Sequence, residues 1–420
     1  MLDPIPAAQP YMQDGAAKFA QQDFQGARIA FESALGVQPN LTPAKFNLAV
    51  MHRELEENQE AEKLFREVIE SGEILPESYN NLGILDVRAE NYEQGVANFR
   101  EAIRLHHDFP LAHFNLGTLL LRMEQWDEGW REYEWRWQTP TFVPVECPQP
   151  IWDGQPLDGT LLLHTEQGIG DVFQFARFLP LIRQRCKKVI FLRPEPLACM
   201  FDEADWADEI RSPGEIRLDS FDALLPLMSA PRVLQSHPRE LPIARGYLTP
   251  AQRTLDLGAV SAPTSNRKVG ITWAGSPTHV NDSFRSTALE TFQPLFEVPD
   301  VTFYSLQIGP KADELSRLPS EAPIIDLRDQ QRDFADTAAI VRELDLVITV
   351  DTSLLHLCGG MDLPAWGLLS RRSDWRWLET GRCESDWYPS VRLFRQARLN
   401  DWSELMSRVS QELQRFVKAE

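Results

Sequence analysis

Residues 344–369 read LDLVITVDTSLLHLCGGMDLPAWGLL, and their order decides the fold of the larger part of the chain. The largely apolar run LDLVITV (344–350) is what a strand buried on both faces requires, and PAWGLL (364–369) is a second. Between them lie a polar turn, Asp351, Thr352 and Ser353, and a short helical stretch bearing His356. Strand, turn, helix and strand in that order predict a parallel α/β sheet. The first amides of a helix have no carbonyl of their own helix to bond. Together with two hydroxyls and the positive end of the helix dipole, they predict an anion site at Thr352 and Ser353. Asp351 either fixes the turn or holds a ribose or sugar hydroxyl. His356, three residues past Ser353, either faces the same ligand or packs the helix.

Working outward, the same alternation extends over residues 157–401. LLLH (161–164), KVIFL (188–192) and DALLPL (222–227) predict the strands of a first half. KVGITW (268–273) and VTFYSL (301–306) join the opening stretch in a second. The intervening TLDLGAVSAPTSNRK lacks periodicity, which predicts a hinge near 254–266, between lobes at 157–253 and 267–401; a final helix covers about 402–418 of residues 402–420. Open α/β sheets bind ligands beyond the carboxyl ends of their strands, so residues just after strands are the candidates. After the first strand comes HTEQGIGDVFQFARFLPLI (164–182), where Gln167, Gly168 and Gly170 form a loop, with the glycines permitting a tight turn, and Asp171 opens a helix. Asp171 is either a helix cap or a functional carboxylate. After the first strand of the second half comes WAGSPTHVNDSFRST (273–287), in which Arg285 either forks onto phosphate oxygens or pairs with Asp282.

The first third is different. Aromatic residues fall at Phe31, Phe65, Phe99 and Tyr133, with small residues at Gly15, Ala49, Gly83 and Gly117 and again at Ala27, Ala61, Gly95 and Gly129. Every spacing is 34 residues. Two helices per unit explain this: small residues admit a close helix, and the aromatic fills the gap between units. The pattern resembles the tetratricopeptide repeat (TPR), with four units starting near residues 8, 42, 76 and 110 of an α-helical superhelix over 1–139. Asn47, Asn81 and Asn115 recur in one phase on the first helices, where asparagine is a poor helix former. They either hydrogen-bond between helices or line a concave face where an extended peptide would bond. The TPR region of O-linked N-acetylglucosamine transferase carries a similar ladder, and the resemblance implies peptide binding. Trp126, Trp130, Trp135 and Trp137 end the array and are expected to dock it against the next domain. Residues 140–156, with prolines at 140, 144, 148, 150 and 156, predict a stiff linker.

Composition bounds these readings. A chain of 420 residues is long enough for two to four domains, and 43% apolar with 25% charged content is that of a folded protein. The net charge of -20 argues against nucleic acid or an anionic membrane as a partner. The array is the more acidic part, with 23 Asp/Glu against 12 Lys/Arg in residues 1–145. Five scattered cysteines without a C-x-x-C pair argue against a disulfide framework or zinc site. MLDPIPAAQP at the start has no leader pattern, and no apolar run reaches membrane-spanning length; a cytoplasmic protein is expected.

Taken together, GIGDVFQFARFLPL and VDTSLLHL resemble motifs of the bacterial heptosyltransferases, and of TPR-linked transferases related to O-linked N-acetylglucosamine transferase. The resemblance covers about residues 155–400 and implies a GT-B fold, two Rossmann-like lobes facing a cleft. It implies an inverting glycosyltransferase with a nucleotide-diphosphate sugar as donor, Asp171 as general base, and Arg285, Asp351, Thr352, Ser353 and His356 on the donor. Ser353 replaces the family glycine, and Arg285 stands where heptosyltransferases often carry a lysine. No D-x-D pair follows a strand in the second half, so metal-independent chemistry and no cofactor are expected. The sugar, whether hexosyl, heptosyl or N-acetylglucosaminyl, is not specified by any motif. The expected acceptor is a protein or peptide held by the TPR region. Transfer to a saccharide or lipopolysaccharide, and a non-catalytic TPR scaffold with a degenerate transferase domain, are the alternatives. Trp375, Trp377, Trp387 and Tyr388 are expected to pack the cleft rim or the interface between lobes.

Overall fold

The computed structural model describes residues 7–140, 142, 147–201, 206–212, 214, 220–238, 246–253, 266–279, 281–319, 322–379 and 381–419. The chain forms two compact units, Met1–Pro144 and Val145–Glu420. The predicted hinge segment, apart from Asn266, lies outside the described residues.

The first unit is a TPR superhelix. Its described helices pair as α1 (Gln9–Ala20) with α2 (Phe24–Val37), α3 (Thr42–Glu54) with α4 (Asn58–Glu70), α5 (Leu75–Arg88) with α6 (Tyr92–Leu105), and α7 (Pro110–Arg122) with α8 (Trp126–Tyr133). The period of 34 becomes physical in two contacts. Within a unit the aromatic lies directly on the small residue: a Cβ on Gly15 would stand 2.6 Å from the Phe31 ring, and one on Gly83 2.6 Å from Phe99. Between units the same ring packs on the next helix pair, Phe31 on Leu48 and Met51, Phe65 on Leu82 and Leu85, and Phe99 on Leu116 and Leu119. Each fully buried ring contributes roughly 2–3 kcal/mol of hydrophobic stabilisation. The turns repeat as well: Gln22, Glu56, Glu90 and Glu124 all adopt left-handed backbone, with φ of 61–64°. At each turn the next amide closes on a carbonyl five residues back, as in Asp23 N–H to Lys18 O at 3.0 Å and Gln125 N–H to Leu120 O at 2.9 Å. After α8 the chain tightens into a 3-10 turn, Glu134–Gln138, where the Trp135 ring stacks on His113 with 3.9 Å between centroids.

The second unit is α/β, with two parallel sheets. The first, in the order β3-β2-β1-β4, comprises β1 (Leu157–His164), β2 (Cys186–Leu192), β3 (Glu209–Arg211) and β4 (Ala223–Pro226). Its helices are α9 (Ile169–Phe175), α10 (Leu179–Arg183), α11 (Ala198–Phe201) and α12 (Ala230–Leu234). The second sheet, β10-β9-β8-β5-β6-β7, comprises β5 (Arg267–Thr272), β6 (Val301–Ser305), β7 (Ile324–Asp326), β8 (Leu346–Val350), β9 (Ala365–Leu369) and β10 (Val391–Arg395). Around it run α13 (Asp282–Arg285), α14 (Gln293–Phe296), α15 (Phe334–Arg342), α16 (Ser353–Gly360) and α17 (Trp402–Lys418). Every strand pairing is parallel. Parallel neighbours need helical crossovers, which cover both faces and account for the unbroken apolar runs of β6, β8 and β9.

One expectation changes. The end of the predicted linker belongs to the second unit: Ile151 bridges to Leu224 of β4, and Trp152, 3% exposed, donates its backbone N–H to Leu224 O at 2.8 Å. Gly154 there has φ 89°, and a Cβ would stand 2.1 Å from Val233 O, so the segment is held down by backbone approach. The final helix packs on the second sheet. Trp402, Leu405, Met406, Val409 and Leu413 follow helical spacing and bury in one core with Val269, Phe303 and Ile348 of the second sheet.

Candidate active site

Four segments that follow strands meet in one place. The turn after β1 carries Asp171 in α9, the loop after β5 carries His279 and Arg285, the turn after β8 carries Asp351, Thr352 and Ser353, and the turn after β9 carries Asp374 and Arg376. The first comes from one sheet and the other three from the other, so the site is built across the two lobes.

Asp171 caps its helix and also carries an ion pair. One carboxylate oxygen accepts the Gly168 backbone N–H at 2.8 Å, capping α9, and the other pairs with the Arg376 guanidinium. Burial pushes its carboxyl above the ordinary aspartate range, with Arg376 opposing. Arg376 is itself buried and spans the lobes. It donates Nε–H to Gln174 Oε1 at 2.7 Å and Nη1 to Asp374 Oδ1 at 2.7 Å, and stacks 4.5 Å above the Trp375 ring. The left-handed residue of this turn is Gln167, with φ 62°, whereas Gly168 is extended at φ −84°. The expectation that the glycines supply the turn's unusual backbone is therefore corrected. Gly170 is required for close approach: a Cβ there would lie 2.8 Å from His356 Cδ2.

On the second lobe, Arg285 Nη1 donates to the carbonyl of Asp351 at 3.3 Å, while its Nε reaches Asp282 Oδ1 only at 3.5 Å. The guanidinium lies over Gly275, where a Cβ would come within 2.6 Å of Nη2. The loop carrying it is anchored by buried Gln307, whose Oε1 accepts the N–H of Trp273 at 3.1 Å and of Ala274 at 2.9 Å. Asp351, between Arg285 and Arg376, is pushed up to about 6 by burial and by Asp374. Thr352 caps the start of α16, its hydroxyl 3.1 Å from that of Thr349, and Ser353 is half-exposed beside it. His356 lies deeper, 6% exposed, its Nδ1 2.8 Å from the Tyr388 hydroxyl. Burial pulls it down to about 3, so the ring is neutral and packs the lobes together beneath Gly170.

Trp375, Trp377, Trp387 and Tyr388 are all buried. Trp387 and Tyr388 flank Arg177 of the first lobe, whose guanidinium stands 5.2 Å from the Trp387 centroid and 5.1 Å from that of Tyr388 and donates to Trp387 O at 2.6 Å. In the array, Asn81 donates to Glu77 O at 2.7 Å and accepts from Arg53, and Asn115 donates to Asn80 Oδ1 at 2.9 Å; Asn47 is half-buried. Two of the three amides thus serve bonds within the helical array.

Arg376, Asp374, His279 and Gln174 escaped sequence reasoning. The signal that could have found Arg376 was a polar residue at the carboxyl end of β9, the strand after the Asp351 turn. Among the described residues no group of His, Cys, Asp and Glu has the arrangement to hold a metal ion, and no helix is long and apolar enough to cross a membrane.

Two family models described as tetratricopeptide repeat match residues 47–75 and 80–129. Protein FlbA of Caulobacter vibrioides is 26% identical over 320 residues, which cover 69% of this chain and 52% of that protein. The chain therefore spans about half the length of this curated relative. Among solved structures, MamA from Desulfovibrio magneticus RS-1 is 20% identical, covering 31% of this chain and 73% of its own, with a TM-score of 0.28. YrrB, described as a TPR protein with an unusual peptide-binding site, is 18% identical over 32% of this chain and 70% of its own, with a TM-score of 0.28. Residues 47–129 thus carry tetratricopeptide repeats, preceding an α/β unit with parallel sheets.

Proposed function

We propose that the second unit is an inverting, metal-independent glycosyltransferase of GT-B type, and that the TPR array binds its protein acceptor. The observation that carries this reading is the meeting of a carboxylate from one lobe, Asp171, with Arg285, Arg376 and the start of α16 from the other. A transfer that inverts the sugar needs both halves of that arrangement. The acceptor hydroxyl attacks C1 of the sugar and gives its proton to Asp171, while the C1–O bond to the nucleoside diphosphate breaks. Negative charge then grows on the departing phosphate, where Arg285, the Thr352 and Ser353 hydroxyls and the first amides of α16 stabilise it. A carboxyl raised by burial is closer to neutrality and so a better base than a free aspartate. In this reading Asp351 holds a sugar or ribose hydroxyl. His356 serves through packing beneath the site.

A second reading has its own observation. Both oxygens of Asp171 are already bonded within the protein, as expected if the unit is a scaffold that has ceased to transfer sugar. A thermal-shift panel of nucleoside diphosphates separates the two, because a ligand that binds only the folded state raises the melting temperature by mass action. The transferase reading expects a rise with at least one nucleoside diphosphate, lost in Arg285→Ala. It also expects a hexose-, heptose- or N-acetylhexosamine-sized mass on a co-expressed acceptor, lost in Asp171→Asn. No response to any nucleotide leaves the scaffold.

A further inference from the structure

We propose that Arg376 is the positioning residue through which the second lobe sets the orientation and protonation of Asp171 in the first. This rests on the reading of Asp171 as the base. Arg376 has the geometry for that task. Its side chain is 7% exposed, and each of its three guanidinium nitrogens has a different partner: Nη2 on Asp171, Nε on Gln174 and Nη1 on Asp374. Gln174 sits three residues after Asp171 on α9, so one guanidinium grips that helix at two points one turn apart. Asp374 accepts both the Arg376 backbone N–H at 3.0 Å and its Nη1, so the arginine is fixed on its own lobe before it reaches across. A planar fork held at three points fixes the carboxylate plane, which a flexible ammonium cannot do.

The groups facing Asp171 define what Arg376 must offset. Asp374 and Asp351 lie on the second lobe's turns, with Arg285 beside Asp351, the ring of His279 on the loop after β5, and neutral His356 beneath. Carboxylates crowd this site, and loss of Arg376 would push the buried Asp171 carboxyl further up, toward its neutral form. Arg376 opposes that rise while the carboxyl stays desolvated. The tie also makes the base depend on the lobes being together, since separation withdraws its counter-ion.

The test follows the Asp171 carboxyl directly in the full chain, carboxyl-labelled with 13C-aspartate, with its resonance identified by loss in Asp171→Asn. In Arg376→Gln the titration midpoint should move up by at least about one pH unit, and in Arg376→Lys by less. An unchanged midpoint in folded Arg376→Gln overturns the proposal. Should that variant not fold, Gln174→Met decides: it removes the group steering Nε and alters no charge, so a small upward shift supports the tie and an unchanged midpoint overturns it. With a donor in hand, Arg376→Lys should shift the acidic limb of the kcat profile alongside the midpoint and leave donor KM unchanged. A midpoint that moves in a protein consuming no nucleotide sugar sinks the transferase reading while the tie stands.

Discussion

Gly170 of the first lobe lies against the imidazole of His356 in the second, so close that a Cβ on Gly170 would stand 2.8 Å from Cδ2. The ring cannot retreat, because Tyr388 holds its Nδ1 at 2.8 Å and Trp377 flanks it at 5.3 Å between centroids. Gly170→Ala should therefore cost about 1–3 kcal/mol, the usual range for overpacking. Urea denaturation of the full chain followed by tryptophan fluorescence checks it, and an unchanged midpoint would show that α9 can shift away.

Asp351 should make the protein less stable at neutral pH than a neutral side chain would. Its folded value of about 6 lies above that of an unfolded aspartate. The folded state therefore holds the proton more tightly between pH about 4 and 6, and stability falls as pH rises through that window. Asp351→Asn should gain about 2 kcal/mol at pH 8, and the gain should vanish below pH about 4. Denaturation midpoints at the two pH values measure it, and equal gains at both would refute the burial argument.

Asp336 at the start of α15 should behave in the opposite sense. Arg332 and Arg253 hold its fully buried carboxyl well below the ordinary range, with distances of 2.7 Å to each. Its contribution is therefore complete above the unfolded value and is lost as pH falls toward the folded one. Arg332 is largely exposed, so solvent screening reduces its share. Asp336→Asn should destabilise by about 2 kcal/mol at pH 7 and by clearly less at pH 2. Acid titration followed by circular dichroism distinguishes this from a penalty that is independent of pH.

Phe99 joins Gly83 of its own unit to Leu116 and Leu119 of the next, and is 1% exposed. Phe99→Ala should cost about 3–5 kcal/mol and loosen the array on both sides of the cavity. Hydrogen exchange is the direct readout. Protection should fall in α5, α6 and α7, and a loss confined to α6 would mean that the units are less coupled than their shared ring implies.

The repeats were legible because helix pairs must satisfy the same contact each time, which writes Phe31, Phe65, Phe99 and Tyr133 into one phase. The central strands were legible for a related reason: burial on both faces leaves unbroken apolar runs such as LVITV. The edge strands β3, β7 and β10 escaped notice. Glu209–Arg211 and Ile324–Asp326 are three residues long, and Val391–Arg395 alternates arginine with apolar residues. At the site, each segment after a strand was visible separately, yet the pairing of Asp171 with Arg376 was not. The two residues are 205 positions apart and meet only because two sheets bring their strand ends together. Arg376 sits among tryptophans, whose packing role is the stronger local signal.

The four left-handed turns of the array have a consequence for its growth. Gln22, Glu56, Glu90 and Glu124 repeat one backbone geometry at a spacing of 34 residues, so the two helices of every unit are joined in the same way. Insertion or deletion of one whole unit would keep the turn inside each helix pair unchanged, whereas a change of a few residues would disrupt a turn and both neighbouring contacts. Array length can therefore vary in steps of one repeat, lengthening or shortening the superhelix without redesign of its parts.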